Sequence, residues 1–71
     1  MKEVILYEIQ GRTVEIVFTY SRKGYKWVCL AQITGFPVVG YGKQKDREKS
    51  RAISLSRLLT AYQNSIIDIC I

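Results

Sequence analysis

The sequence predicts an α+β fold, in which an antiparallel β-meander of three to four strands packs on one C-terminal α-helix. Two observations support this class. The first part of the chain is rich in β-branched and aromatic residues and alternates most clearly over 13–20, as strands do, and from about residue 44 the apolar residues recur at three- and four-residue steps, as on a helix. At 71 residues the chain forms a single domain, 1–71. Its predicted parts are an extra N-terminal strand (1–12), a core (13–62) and an apolar C-terminal tail or added strand (64–71).

Four segments carry the strand pattern. Met1 to Gln10 is rich in β-branched and aromatic residues on both faces, which favours a strand over its alternative, a one-turn helix. Thr13 to Tyr20 alternates most clearly, and Tyr25 to Thr34 repeats the pattern with Trp27 on its apolar face. Phe36 to Tyr41 forms a short last strand, at an edge or beginning near its proline. Turns are predicted at 10–12 and at 21–24.

The helix is predicted from about Gln44 to Gln63, with Asn64 as its C-terminal stop because asparagine tolerates the left-handed conformation. Its expected apolar face is Ala52, Leu55, Leu58, Leu59 and Tyr62. One helix covers one face of a sheet, so apolar side chains on the other face need a second partner. The residues expected there are Val17, Val28, Leu30 and Val39. They predict either a homodimer through the outer face of the sheet or a cover formed by residues 65–71.

The charge of the chain is strongly asymmetric. Eleven Lys and Arg against six Asp and Glu give +5, and no acidic residue lies between Glu15 and Asp46. A field of one sign raises the encounter rate with polyanions, and lysines at a helix N-terminus add to an end that already favours phosphate. The sequence therefore predicts a nucleic-acid contact. Its candidate residues are Lys43, Gln44, Lys45, Lys49, Arg22, Lys23 and Lys26.

Other functions find less support in the residue types. No histidine is present, which removes the commonest general base and metal ligand, and the carboxylates show no acid/base spacing, so we expect no enzyme, cofactor or metal site. Gly42-Lys43 departs from a phosphate-loop pattern, since Pro37 and Gln44 stand where glycine and Ser or Thr belong. Cys29 and Cys70 are interpreted as buried thiols of a reducing compartment. With no apolar run of roughly 18 residues, we expect a soluble, cytoplasmic protein.

The strand and helix around residues 40–53 resemble the double-stranded RNA-binding domain, whose signature is G-x-G-x-S-K-K-x-A-K-x-x-A-A. The matching residues are Gly40, Gly42, Lys45, Lys49 and Ala52, within a resemblance that covers roughly residues 13–62. It implies three antiparallel strands closed by a helix. It also implies a phosphate clamp made by Lys45 and Lys49, with Arg47 and Arg51 peripheral.

The departures from that pattern are specific. Gln44 replaces the serine, Asp46 the middle lysine, Glu48 an alanine and Ile53 the second alanine. The first helix of the family is absent, because Met1 to Gln10 has the pattern of a strand. In the family that helix and the loop between the first two strands contact successive minor grooves. The corresponding loop here is the basic stretch 21–24.

Three functional hypotheses follow. The first is a nucleic-acid-binding module, with double-stranded RNA favoured, that holds phosphates with the helix N-terminus and the basic hairpin loop. The second is a DNA-binding domain whose sheet enters the major groove. The third is a small homodimeric interaction module without nucleic-acid binding, in which the charged run is a solvated helix face. In each of these Trp27 and Tyr25 are expected in the core, and Tyr41 is expected to be exposed.

Overall fold

The computed structural model describes the backbone of residues 1–70 and the side chains of residues 1–64. A four-stranded antiparallel sheet packs against one helix, which confirms the predicted α+β class. The elements are β1 (Lys2–Ile9), β2 (Arg12–Lys23), β3 (Lys26–Ile33), β4 (Val39–Gln44) and α1 (Arg47–Cys70). The strands lie in the sheet in chain order, β1-β2-β3-β4, so each pairs with its neighbour in sequence.

Two-residue turns join the first three strands. Gln10 and Gly11 both have positive φ, 51° and 78°, as a tight hairpin turn of this hand requires. The second turn contains only Gly24 and Tyr25, with Lys23 paired to Lys26 across it. The prediction of a basic loop over 21–24 is therefore wrong for its first three residues, because β2 continues through Lys23 in regular pairing with β3.

The last strand begins and ends later than predicted. Val39–Gln44 replaces the expected 36–41, and the glycines lie inside the strand, Gly40 opposite Ala31 and Gly42 opposite Cys29. Gly40 and Gly42 therefore belong to the strand and do not form a turn before the helix. α1 begins at Arg47 rather than Gln44.

The core lies between α1 and the face of the sheet turned toward it, which we call the inner face. The side chains most completely removed from solvent there are Ile16, Phe18, Cys29, Ala31 and Leu58. Phe36 closes one side of this core, its ring stacked on Tyr62 with 5.1 Å between centroids. Leu55, Leu59 and Tyr62 are partly buried against the core as predicted, whereas Ala52 is exposed.

The closest approach of α1 to the sheet depends on small residues. Ser50 and Ser54 are fully buried and face β4 one helical turn apart. A Cβ on Gly42 would lie 2.9 Å from the Ser54 nitrogen and overlap the Ser50 carbonyl oxygen, and one on Gly40 would lie 2.8 Å from the Leu58 nitrogen. The two glycines let the helix backbone rest directly on β4 at Ser50 and Ser54, whereas Ala52 lies on the exposed side of α1.

The helix extends further toward the C-terminus than the sequence predicts. α1 continues past Asn64 to Cys70, so the predicted stop at Asn64 is wrong, and the backbone of residues 65–70 is helical rather than an added strand. Whether this segment covers the sheet depends on side chains outside the described residues, as does the environment of Cys70. Cys29 is buried as expected, and burial raises the pKa of its thiol. Within the described chain, no helix is both long and apolar enough to cross a membrane.

Alkaline stability is expected to depend on Tyr20. Its hydroxyl donates to Glu3 Oε1 at 3.0 Å, and burial, followed by this hydrogen bond, raises the pKa of Tyr20 to about 12 from about 10. The unfolded chain loses this proton first, so the stabilisation is complete below about pH 10 and is lost as the pH rises toward about 12. The free energy of unfolding of Tyr20→Phe should therefore fall less steeply than that of the wild type across this window in urea titrations. Parallel curves would contradict the assignment.

Candidate nucleic-acid interface

Most of the cations lie at one end of the molecule. The C-terminal ends of β2 and β4, the N-terminal end of β3 and the start of α1 meet there, because β3 runs antiparallel to both neighbours and α1 follows β4 after two residues. Of the eleven Lys and Arg, seven lie at this end, which we call the basic pole. They are Arg22, Lys23, Lys26, Lys43, Lys45, Arg47 and Lys49.

A concavity of about 290 Å³ opens at the basic pole beside β4 and the start of α1. It is lined by Lys26, Lys43, Gln44, Lys45, Asp46 and Lys49, and we call it the lysine concavity. Five of the seven residues predicted to bind nucleic acid therefore share one surface. They come from β3, β4, the connecting loop and the first turn of α1. These residues come together because β4 ends later, and α1 begins later, than the sequence predicts.

The other two predicted residues do not line the concavity. Arg22 lies on the inner face, where its guanidinium is 5.5 Å from the centroid of the Trp27 ring. Arg47 was not a predicted ligand, but its guanidinium lies 6.0 Å from the centroid of the same Trp27 ring and 5.6 Å from that of the Tyr20 ring. Lys23 ends β2 opposite Lys26. The basic pole thus has a lysine side, open to a ligand, and an arginine side whose guanidinium groups rest on half-buried and buried aromatic rings.

Of the side chains that the structure describes, Asp46 is the one carboxylate of the lysine concavity, and it is the N-cap of α1. Its Oδ1 accepts a hydrogen bond from the Glu48 nitrogen at 2.9 Å, and its carbonyl oxygen accepts the first helical bond from the Ser50 nitrogen at 3.0 Å. The departure from lysine at this position therefore has a structural role. One N–H group at the helix N-terminus is already satisfied, which leaves the lysine side chains as the stronger anion ligands.

The two roles of Asp46 can be separated by substitution. Asp46→Asn keeps an oxygen acceptor of nearly equal capping strength and removes the negative charge, so stability should change little while affinity for a polyanion rises by roughly fivefold. Asp46→Ala removes both and should also lower the free energy of unfolding by about 1 kcal/mol. Urea denaturation and binding titrations on the two variants measure the difference. Unchanged binding by Asp46→Asn would remove Asp46 from the interface.

Tyr25 is a further candidate for the nucleic-acid interface, although the sequence predicts it in the core. It occupies the two-residue turn and is 66% exposed, more than Tyr41 at 45%. Two lysines of the concavity approach its ring, with Lys45 Nζ 5.4 Å and Lys26 Nζ 5.8 Å from the centroid. The signal in the sequence was the pair Gly24-Tyr25 between two lysines, which fits a two-residue hairpin turn better than a strand start.

A second concavity, of about 320 Å³, lies on the inner face beside α1. Both signs of charge line it, and Arg51 Nε lies 3.2 Å from Glu3 Oε1, although its N–H is not aimed at that oxygen. The same Glu3 oxygen accepts from Tyr20. Glu3 and Arg51 are engaged with each other, and the mixture of charges distinguishes this concavity from the lysine concavity. Among the described side chains, no group of three His, Cys, Asp or Glu is placed to hold a metal ion.

No protein-family model, curated protein or solved structure matches the chain at a significant level. The observed sheet and helix are compatible with the β-β-β-α arrangement that the resemblance implies, with β1 as an additional strand.

Proposed function

We propose that this protein is a nucleic-acid-binding module and that the lysine concavity holds phosphates of the backbone. The observation that carries the proposal is the convergence of four lysines, from β3, β4, the loop and α1, on one open surface. Four ammonium groups on separate elements are costly to bring together without an anion, because like charges repel. A row of phosphates supplies that anion at several points at once.

The lysines are available for such a ligand. Within residues 1–64 no carboxylate lies within ion-pair distance of Lys26, Lys43, Lys45 or Lys49. Lys and Arg contacts to phosphate release condensed counterions, which gives an affinity that is independent of sequence and steeply dependent on salt. Gln44 adds an amide that donates to phosphate or sugar oxygens without charge.

Double-stranded RNA is the favoured target. The resemblance of residues 13–62 to the double-stranded RNA-binding domain includes Lys45 and Lys49, and both line the concavity. The competing hypothesis, a sheet that enters the major groove of DNA, requires polar side chains on the outer face of the sheet. The middle of that face, which is turned away from α1, exposes Val4, Leu6 and Val39, which supports the phosphate-binding alternative.

The test is a binding titration of the intact chain with duplex RNA, duplex DNA and a single strand of each, of equal length and at one salt concentration. Tightest binding to duplex RNA is expected, because shape and 2′-hydroxyl contacts distinguish the A-form duplex. A salt series on that duplex should give a linear fall of log K with log salt, with a slope of about −3.6 if four lysines each neutralise about one phosphate. The absence of binding at moderate salt would overturn the proposal, and equal affinity for all four would overturn its preference for RNA.

A further inference from the structure

The face of the sheet turned away from α1, which we call the outer face, exposes a band of large apolar side chains. They are Val4, Leu6, Leu30, Val39 and Tyr41, and they are between 38% and 75% exposed. Pairing places Val4 opposite Val17, Leu30 opposite Tyr41, and Val39 opposite Gln32. Apolar side chains therefore lie on all four strands, with the polar Thr19 and Gln32 among them where β2 pairs with β3. Exposed apolar surface of this kind marks an interaction site.

The same face is charged with opposite signs on the two sides of the band. At one end, Glu8 lies opposite Thr13 and Glu15 opposite Leu6. At the other end, Lys23 lies opposite Lys26. Along β2, eight residues separate Glu15 from Lys23, or roughly 26 Å at 3.3 Å per residue. The outer face thus has an acidic end, an apolar middle and a basic end.

We propose that the outer face binds a second copy of this chain, with the strands of the two protomers reversed. A two-fold axis in the plane of the interface and perpendicular to the strands lays the apolar band on its own copy. It also brings Glu8 near the partner's Lys23. A two-fold axis parallel to the strands would place like charges together at both ends, so charge selects the first arrangement. This is independent of the proposed function.

No strand of the partner covers the nucleic-acid surface in this dimer. β3 ends at Ile33 and β4 begins at Val39, so neither strand extends as far along the sheet as Glu8 does on β1. The reversed partner therefore has no strand to lay over Lys43, and Lys45 lies beyond the end of β4. The band occupies one face of only four strands, so we expect the interface to be smaller than the roughly 800 Å² per partner of a standard one. We therefore expect reversible, concentration-dependent association.

Sedimentation equilibrium over a concentration series, without nucleic acid, tests the dimer. The wild type should show a reversible monomer–dimer equilibrium, and Leu6→Glu should shift it to monomer. Ser56→Glu, on the exposed side of α1, is the matched control and should leave it unchanged. Far-UV circular dichroism verifies that Leu6→Glu stays folded, as expected for a side chain that is 75% exposed. A wild type that stays monomeric at the highest concentration, or equal effects of the two variants, would overturn the proposal.

The reversed orientation has its own test in charge exchange. Each of Glu8→Lys and Lys23→Glu should raise the dissociation constant of the dimer about fivefold to tenfold, because a two-fold interface contains the contact twice. The double variant restores the pair with its signs exchanged and should return the dissociation constant close to that of the wild type. Additive weakening in the double variant would overturn the orientation. A loss of nucleic-acid binding alone would leave these results unaffected, so the two proposals fail separately.

Discussion

Gly42→Ala is expected to lower the free energy of unfolding by about 3 kcal/mol or more, the range of overpacked and strained sites. The added methyl group would stand 2.9 Å from the Ser54 nitrogen and overlap the Ser50 carbonyl oxygen, so backbone has to move rather than a flexible side chain. A domain of this size has little stability to lose. Far-UV circular dichroism during urea denaturation should show a largely unfolded variant at 25 °C.

Gly24→Ala is the matched control for that effect. Gly24 has a φ of 62° and nothing within 4 Å of an added Cβ, so the substitution brings conformational strain without a clash. Its cost should be about 1 kcal/mol. If the two substitutions cost the same, the close contact between α1 and β4 is not what requires glycine at position 42.

The paired substitution Lys45→Gln with Lys49→Gln is expected to weaken nucleic-acid binding about 60-fold at 0.1 M salt. Each lost phosphate contact reduces the salt slope by about 0.9. One such contact raises the affinity at 0.1 M salt about eightfold relative to 1 M salt, and two raise it about 60-fold. The slope of log K against log salt should therefore fall by about 1.8. Filter binding or fluorescence anisotropy at four salt concentrations measures both quantities.

The control for that pair removes the same charge elsewhere. Arg12 and Arg57 lie outside the basic pole, Arg12 at the start of β2 and Arg57 on α1, where it donates to the Tyr41 carbonyl oxygen at 2.8 Å. Substituting both with glutamine should leave the slope nearly unchanged. If the two pairs of variants weaken binding equally, net charge rather than the lysine concavity is responsible.

The sheet was predictable because alternation and turn chemistry are local signals. β1, β2 and β3 begin and end within three residues of their predicted bounds, and Gln10-Gly11 forms the expected turn. The end of β4 was not predictable from those signals. A glycine between two strand residues has the same local pattern whether it turns the chain or accepts a neighbouring helix, and only the path of α1 distinguishes the two at Gly40 and Gly42.

The candidate site was predictable in composition but not in grouping. Charge density at the helix start and the family resemblance selected Lys45 and Lys49, and charge selected Lys43 and Lys26. The grouping of Lys26 with the other three depends on the β3–β4 register, which places Val28 opposite Lys43. Arg22 was predicted as a ligand because it is basic, yet its strand parity turns it toward Trp27. Asp46 was the clearest departure from the family pattern, and its capping role became visible only with the helix start fixed at Arg47.

The separation of charge along the strands also determines how the molecule moves in an electric field. The basic pole contains seven cations and the positive end of the α1 macrodipole, while Glu8 and Glu15 lie toward the opposite end of the sheet. The protein is therefore a permanent dipole as well as a net cation. Near any polyanion it experiences a torque that turns the basic pole forward before contact, which raises the association rate at low ionic strength and lets salt reduce it.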